Sequence, residues 1–256
     1  MPGDYHIHGM GHGERGHTVD DIEPFILKAQ KEGLDEIGFV EHDWFLGKIN
    51  FETFKYLQTK YPQIAIRIGL EVDHIFGREE EIARFIWNKP FDYILGGIHH
   101  LGRDKWMFDH PDYIYRYNEK DIDDLYREYF ATVKQAAQTQ LYQVMPHLDL
   151  IKVFGFRPSK SLLTFTGEMF YVLKQRSLVV EINTSGLRKP VQEIYPCQEL
   201  LKECFTHNIP ITFGSDAHQP EDTGRDINLA YEYAKKTGYR KYVTFVKKRM
   251  IIRDLE

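Results

Sequence analysis

Histidine and carboxylate residues recur in this sequence at short spacings that suit metal coordination. His6-Ile7-His8 sets two imidazoles two residues apart, so on an extended strand both project from one side. Glu41-His42-Asp43, Glu71 with Asp73, His99-His100, His147 with Asp149 and Asp216-Ala217-His218 follow along the chain. Taken singly, each has an ordinary explanation. A lone HxH pair is more often a polar strand face than a ligand pair, and Glu41-His42-Asp43 would serve as a helix N-cap. Glu71 alone is the kind of residue that ends a strand in a solvated loop. Asp216-Ala217-His218, after an apolar run and Gly214, is an even choice between ligand and loop. The conjunction decides. So many carboxylates and imidazoles buried without counter-charge would be costly, and divalent cations would offset that cost. Every donor is imidazole or carboxylate, with no thiolate, a set that suits zinc, manganese or iron.

The loop from Gly9 to His17 holds four glycines and two further histidines, His12 and His17. It is flexible enough to fold back over such a site, and either histidine is placed to be a ligand. No Gly-Lys-Ser/Thr follows, so it is not a Walker loop. His74, His110 and His207 have no ligand-like surroundings in sequence and are assigned to packing or surface.

Positioning these residues falls to short apolar runs rich in β-branched side chains, at residues 4–8, 36–41, 65–72, 93–98, 143–148, 178–183 and 211–214. Helical patterns follow them at 21–32, 51–60, 79–88, 121–140, 166–175, 196–207 and 226–236. In the first helix Ile22, Phe25, Ile26 and Ala29 share one face, and Gly33 supplies a C-terminal stop. Alternation of this kind predicts a parallel sheet with helices outside, either open and doubly wound or closed into a barrel. In such folds the carboxyl ends of the strands meet at one face, where active sites lie. Six of the seven runs end in the histidines and carboxylates named above. Residues 242–254 alternate enough to be one last strand, which Lys247, Lys248 and Arg249 make a surface or edge element. With no repeat, linker or low-complexity stretch, residues 1–256 read as one domain.

Composition sets outer bounds. The formal net charge is -5, with both signs interleaved, which leaves no electrostatic footprint for duplex nucleic acid. Cys197 and Cys204 lie seven apart on one expected helix, about 10 Å, too far for a disulfide. No signal-peptide pattern opens the sequence and no apolar run is long enough to span a membrane, so a cytoplasmic protein without a membrane partner is expected.

The motifs together resemble the PHP (polymerase and histidinol phosphatase) superfamily. The matching pieces are Asp4-Tyr5-His6-Ile7-His8, Phe39-Val40-Glu41-His42-Asp43, Gly69-Leu70-Glu71, Gly96-Gly97-Ile98-His99, Met145-Pro146-His147-Leu148-Asp149 and Gly214-Ser215-Asp216-Ala217-His218, in the family's order. Within it the runs from His147 to Gly155 and from Glu181 to Pro190, with Glu193-Ile194-Tyr195-Pro196, are similar to histidinol-phosphate phosphatases. Two departures stand out: a longer first loop carrying the extra His12, and Gly97 where a serine is usual, with His100 the alternative to His99.

The resemblance implies an α/β fold, a distorted seven-stranded barrel, binding three divalent metals. His6, His8, Glu71 and Asp216 would hold one, Glu71, His99 and His147 a second, and His17, His42 and His218 the third, His17 being favoured over His12. The substrate implied is a small phosphomonoester, L-histidinol phosphate above others. Uncatalysed hydrolysis of such esters is so slow that more than about 20 kcal/mol of barrier must be removed. Clustered metals contribute by lowering the pKa of a bound water toward about 7 and neutralising phosphoryl oxygens. Glu71 would bridge two metals, and Asp216 would act as ligand and as general acid or base. Arg157 and Arg188, in loops after the fifth and sixth strands, would bind phosphate through planar donors; a surface ion pair is the plain alternative for each. A nucleotide phosphatase or exonuclease, a non-catalytic metal-stabilised module and an amidohydrolase-like barrel are the competing readings. Oligomeric state is not legible.

Overall fold

The computed structural model describes residues 3–255. Seven parallel strands form one sheet in the order β1 (Asp4–Ile7), β2 (Glu36–His42), β3 (Ala65–Asp73), β4 (Tyr93–Gly97), β7 (Val144–Met145), β8 (Val179–Asn183) and β9 (Ile211–Gly214). The sheet curls almost into a barrel. Its two edges meet just beyond the strands, where Ile7 bridges Ala217 in parallel and the His8 N–H donates to the Ala217 carbonyl at 2.8 Å. A short hairpin, β5 (His100–Leu101) and β6 (Trp106–Met107), is inserted after β4.

Helices α1 (Val19–Lys31), α2 (Phe51–Lys60), α3 (Glu79–Trp87), α4 (Ile122–Gln138), α5 (Leu163–Thr166), α6 (Met169–Gln175), α7 (Gln198–Thr206) and α8 (Ile227–Thr237) fill the connections. Helix α1 begins with a reciprocal cap: the Thr18 hydroxyl accepts from the Asp21 N–H and the Asp21 carboxylate accepts from the Thr18 N–H. Its buried face is Ile22, Phe25, Ile26 and Ala29, as the apolar spacing predicts. The expected helix 166–175 is two pieces, because Gly167 at φ 51 breaks the run between α5 and α6.

The C-terminal segment differs from expectation. It is two antiparallel strands, β10 (Lys241–Val246) and β11 (Arg249–Asp254), not one. Lys247 and Lys248 form the turn at φ 50 and φ 63, so the basic run is the loop of a hairpin rather than a strand face. The Lys247 N–H donates to the Asp92 side chain at 2.8 Å and the Lys248 N–H to the Asp92 carbonyl at 2.7 Å, fixing the hairpin at the amino end of β4. Tyr93 stacks on Phe245 there. A buried apolar cluster that includes Tyr5, Val40, Leu95, Val144 and Phe213 continues into this hairpin. The amino ends of the strands are thereby plugged, leaving the carboxyl ends for the polar residues.

Candidate metal centre

At the carboxyl ends of the strands, β1, β2 and the segments after β4, β7 and β9 converge on Glu71 of β3. One of its oxygens lies 2.9 Å from His147 Nε2 and 3.2 Å from His99 Nε2. The other lies 3.4 Å from His6 Nε2, 3.3 Å from His8 Nε2 and 3.3 Å from His42 Nδ1. Asp216 completes this side, its Oδ1 3.7 Å from His6 Nε2 and 3.5 Å from His8 Nε2. Three groups have ligand atoms all within 4.8 Å of one another: His6, His8 and Asp216; His6, Glu71 and His147; and His8, His42 and His218. Glu71, His6 and His8 are buried. Nitrogens of His8, His42, His147 and His218 have no hydrogen-bond partner among the described residues. Unpaired buried nitrogens on His8, His42 and His218, which form one of these groups, beside two carboxylates ringed by imidazoles are what divalent cations would satisfy, so the residues fit a metal centre.

Electrostatics point the same way. Burial alone would raise the Glu71 carboxyl, but His6 and hydrogen bonds from His147, His6 and His8 hold it well below the usual carboxylate range. Asp216 is held down likewise, against burial, by His6, His8 and His218. Burial, with His8 adding to it, lowers the His218 imidazole to about 3 and the His42 imidazole well below its ordinary value. The carboxylates in turn raise the imidazoles of His6, His8 and His99 against their burial, so their charge is answered by ring protons that a bound cation would replace.

Two carboxylates, the buried Glu181 and the half-buried Asp109, orient the rings. Glu181 Oε1 lies 2.8 Å from His6 Nδ1, leaving Nε2 for the centre, and its other oxygen accepts from the His147 N–H at 3.1 Å. Asp109 Oδ2 lies 2.7 Å from His99 Nδ1. Such pairs fix the tautomer and raise ligand basicity. Neither is named by the spacing of ligand-type residues. A charge inside the apolar run Val179-Val180-Glu181-Ile182 was the available signal for Glu181; Asp109, in the loop beyond β6, carries none. Asp4 anchors the β9 end, accepting from the Ser215 and Gly224 N–H groups at 2.8 Å each. His147 and Asp216 sit at φ 27 and φ 56, left-handed backbone that costs a non-glycine residue about 1–3 kcal/mol. Gly214 is required beside them, since a Cβ there would meet Glu181 Oε1 at 2.0 Å.

Not every expected residue reaches the centre. His17 is buried elsewhere: its Nε2 lies 2.7 Å from Glu41 Oε1 and its Nδ1 accepts from the Asn50 N–H at 3.2 Å, so both nitrogens are engaged. Glu41 is itself fixed by the Met10 N–H, which holds His17 between β2 and the start of α2. His12 instead places its ring 4.3 Å from that of His218. Arg15 pins this loop, donating to the carbonyls of Gly9 and His218. His99 rather than His100 faces Glu71, while His100 lies 3.3 Å from Asp73. Arg188 reaches the rim: one terminal nitrogen donates to the Ser215 carbonyl at 2.6 Å, Nε lies 3.8 Å from Asp222, and the other terminal nitrogen has no hydrogen-bond partner among the described residues. Arg157 does not. It pairs with Glu193 at 2.6 Å on the wall of a separate cavity of about 630 Å³. Glu193 also takes Lys152, fully buried against Asp149 at 2.9 Å, so the positive charge after β7 is consumed locally. Trp44 stacks on His42 at 4.1 Å with half its surface exposed.

The PHP domain family model matches residues 4–185. A probable histidinol-phosphatase of Deinococcus radiodurans is 35% identical over 249 residues, covering 92% of this chain and 94% of that protein. The histidinol-phosphatase of Lactococcus lactis is 27% identical over 262 residues, covering 94% and 93%. Among solved structures, histidinol phosphate phosphatase from Lactococcus lactis, complexed with zinc, L-histidinol and phosphate, superposes with a TM-score of 0.79 at 26% identity, covering 98% of each chain. The barrel, the ligand-bearing strand ends and these matches agree: the chain belongs to the PHP domain family and is similar to its histidinol-phosphatases.

Proposed function

We propose that this chain is a metal-dependent phosphomonoesterase that hydrolyses L-histidinol phosphate to L-histidinol and phosphate. The observation that carries the reading is Glu71, one buried carboxylate ringed by imidazoles from four strand ends, in a chain similar to a phosphatase that holds zinc, L-histidinol and phosphate. We take His6, His8, Glu71 and Asp216 as one ligand set, and Glu71, His99 and His147 as a second. His42 and His218, whose ligand atoms group with one of His8, begin a third, and to it we add His12, whose ring lies against His218, in place of His17. Three divalent ions, zinc among the candidates, would occupy them.

When bound, the metals supply Lewis acidity toward the phosphoryl oxygens and toward water. The chain's residues do the rest. Glu71 holds the ligand sets a few ångströms apart. Asp216, with Oδ2 accepting from the Ser185 hydroxyl at 3.1 Å, is placed to move a proton beside the reacting ester. Arg188 offers a planar donor to phosphate at the rim. Arg157 is left out of this assignment by its pairing with Glu193.

We read the whole chain as one cytoplasmic domain acting on a small molecule; no described helix is long and apolar enough to cross a membrane. A panel of phosphomonoesters beside a single-stranded oligonucleotide tests the substrate class. Phosphate release from L-histidinol phosphate at least ten-fold above the other esters, with the oligonucleotide intact, is the expected result. Preferential cleavage of the oligonucleotide or of a nucleotide would replace this reading.

A further inference from the structure

The first and last strands of the barrel touch over a short stretch. Ile7 bridges Ala217, the His8 N–H donates to the Ala217 carbonyl at 2.8 Å, and the Ala217 N–H donates to the His6 carbonyl at 3.3 Å. The group formed by His8, His42 and His218 straddles this seam, with the His8 ring stacked on that of His218 at 4.3 Å. His218 follows β9, and the loop that carries His12 follows β1. Edges joined by few hydrogen bonds open more readily than fully paired strands, so ligands beyond the seam need a further tie across it.

Arg15 makes that tie. On the β1 side its Nε donates to the Gly9 carbonyl at 2.8 Å. On the β9 side Nη2 donates to the His218 carbonyl and Nη1 to Gln219 Oε1 at 2.8 Å. All three guanidinium nitrogens are thus engaged, each by a carbonyl or amide oxygen. The partly buried guanidinium also lies over the Phe25 ring of α1, 5.4 Å from its centroid. A planar fork suits acceptors on both sides of the seam, whereas a lysine ammonium is a point donor on a flexible stem. The backbone makes room for this reach. Gly11 is left-handed at φ 61, and a Cβ there would meet Arg15 Nη2 at 2.7 Å and the His218 carbonyl at 3.3 Å. The same loop lays the His12 ring 4.3 Å from that of His218.

We propose that Arg15 is a positioning residue that clasps the seam and thereby sets the third metal site, the one built from His42, His218 and this loop. The first ligand set, His6, His8 and Asp216 with Glu71, lies at the seam's own hydrogen bonds, and Asp4 anchors Ser215 beside it. The second, Glu71, His99 and His147, lies across β3, β4 and β7, away from the seam. His218 and the His12 loop are beyond both, so theirs is the site that loosens when the clasp is removed. The inference rests on the three-metal reading above and concerns metal affinity, not the chemical step.

The test is calorimetric titration of the chelator-stripped, folded full chain with zinc, which requires no turnover. Wild type should take up three ions. Arg15→Ala and Arg15→Lys should each bind one of the three roughly ten- to a hundred-fold more weakly, the usual cost of losing a residue that orients metal ligands, and hold the other two as wild type does. Guanidinium chloride at millimolar concentration should restore the weakened site in Arg15→Ala, and ammonium chloride should not. Arg15→Lys keeps the charge and the aliphatic stem, so it carries the comparison should Arg15→Ala not fold. Wild-type affinity for all three ions in either variant would overturn the inference. Equal weakening of all three, the mark of a merely structural residue, would overturn it as well, as would rescue by ammonium as effective as by guanidinium. Fewer than three ions in wild type would remove it together with the three-metal assignment. A wild-type chain that takes up three ions yet releases no phosphate from L-histidinol phosphate fails the phosphatase reading alone.

Discussion

At Glu71 a single carboxylate faces five imidazoles, His6, His8, His42, His99 and His147. Glu71→Gln removes the charge while keeping the shape, and leaves those rings around a neutral amide. Loss of kcat to background is expected, with lowered metal content. Arg188→Ala removes one charge-assisted contact and should cost roughly ten- to a hundred-fold in kcat/KM. Steady-state kinetics of both variants checks the division of roles, and equal inactivity with metal retained in Arg188→Ala would refute it. His12 and His17 part at the same scale. His12→Ala should lower metal occupancy at the His42–His218 group, because its ring already lies against His218. His17→Ala should leave metal content near normal and lower stability instead, by about 1.5–3 kcal/mol for the lost contact to the Glu41 carboxylate. Metal analysis and melting of the two variants side by side would show the reverse pattern if His17 were the ligand. The family's usual spacing to Gly33 and His42 favoured His17, and the carboxylate that captures it, Glu41, lies 24 residues along the chain. His6, His8, Glu71, His99, His147, Asp216 and His218 were legible because strand ends carry them. Asp109 was not, since its role exists only once the fold sets it beside His99.

The elements reproduce the period of the sequence with few exceptions. Strand alternation and the apolar face of α1 are local properties, so β1 to β4, β8 and β9 fall where the apolar runs lie. Strand β7 is shorter than its run because the chain turns out at His147, where the backbone is left-handed and the N–H donates to the Glu181 carboxylate. The end of β3 is pinned by His74, whose Nδ1 lies 3.0 Å from the Tyr142 hydroxyl just before β7. Burial lowers the His74 imidazole to about 4 from 6.5. Its folded-state pKa is therefore below the unfolded one, and the unfolded chain binds the extra proton. The resulting stability is present above pH 6.5 and lost as pH falls toward about 4, in total about 3 kcal/mol. Urea midpoints for wild type and His74→Gln between pH 7 and 4.5 should converge on acidification. A gap that stays constant over that range would remove His74 from the account.

For the molecule as a whole, the barrel is almost closed at the strand ends that carry the cluster and plugged by the β10–β11 hairpin at the other. Parallel topology was legible from strand–helix alternation, whereas closure followed only from the family resemblance, because it depends on Ile7 meeting Ala217 from opposite ends of the chain. The central claim is that this one face is a metal centre that hydrolyses a phosphomonoester. Its most direct test is to strip the chain of metal with a chelator, confirm that it remains folded, and add zinc in steps while following phosphate release from L-histidinol phosphate. The account predicts no release from the stripped chain, with activity that grows as zinc fills the sites and levels off near three per chain. Undiminished hydrolysis by the folded, metal-free chain would contradict it.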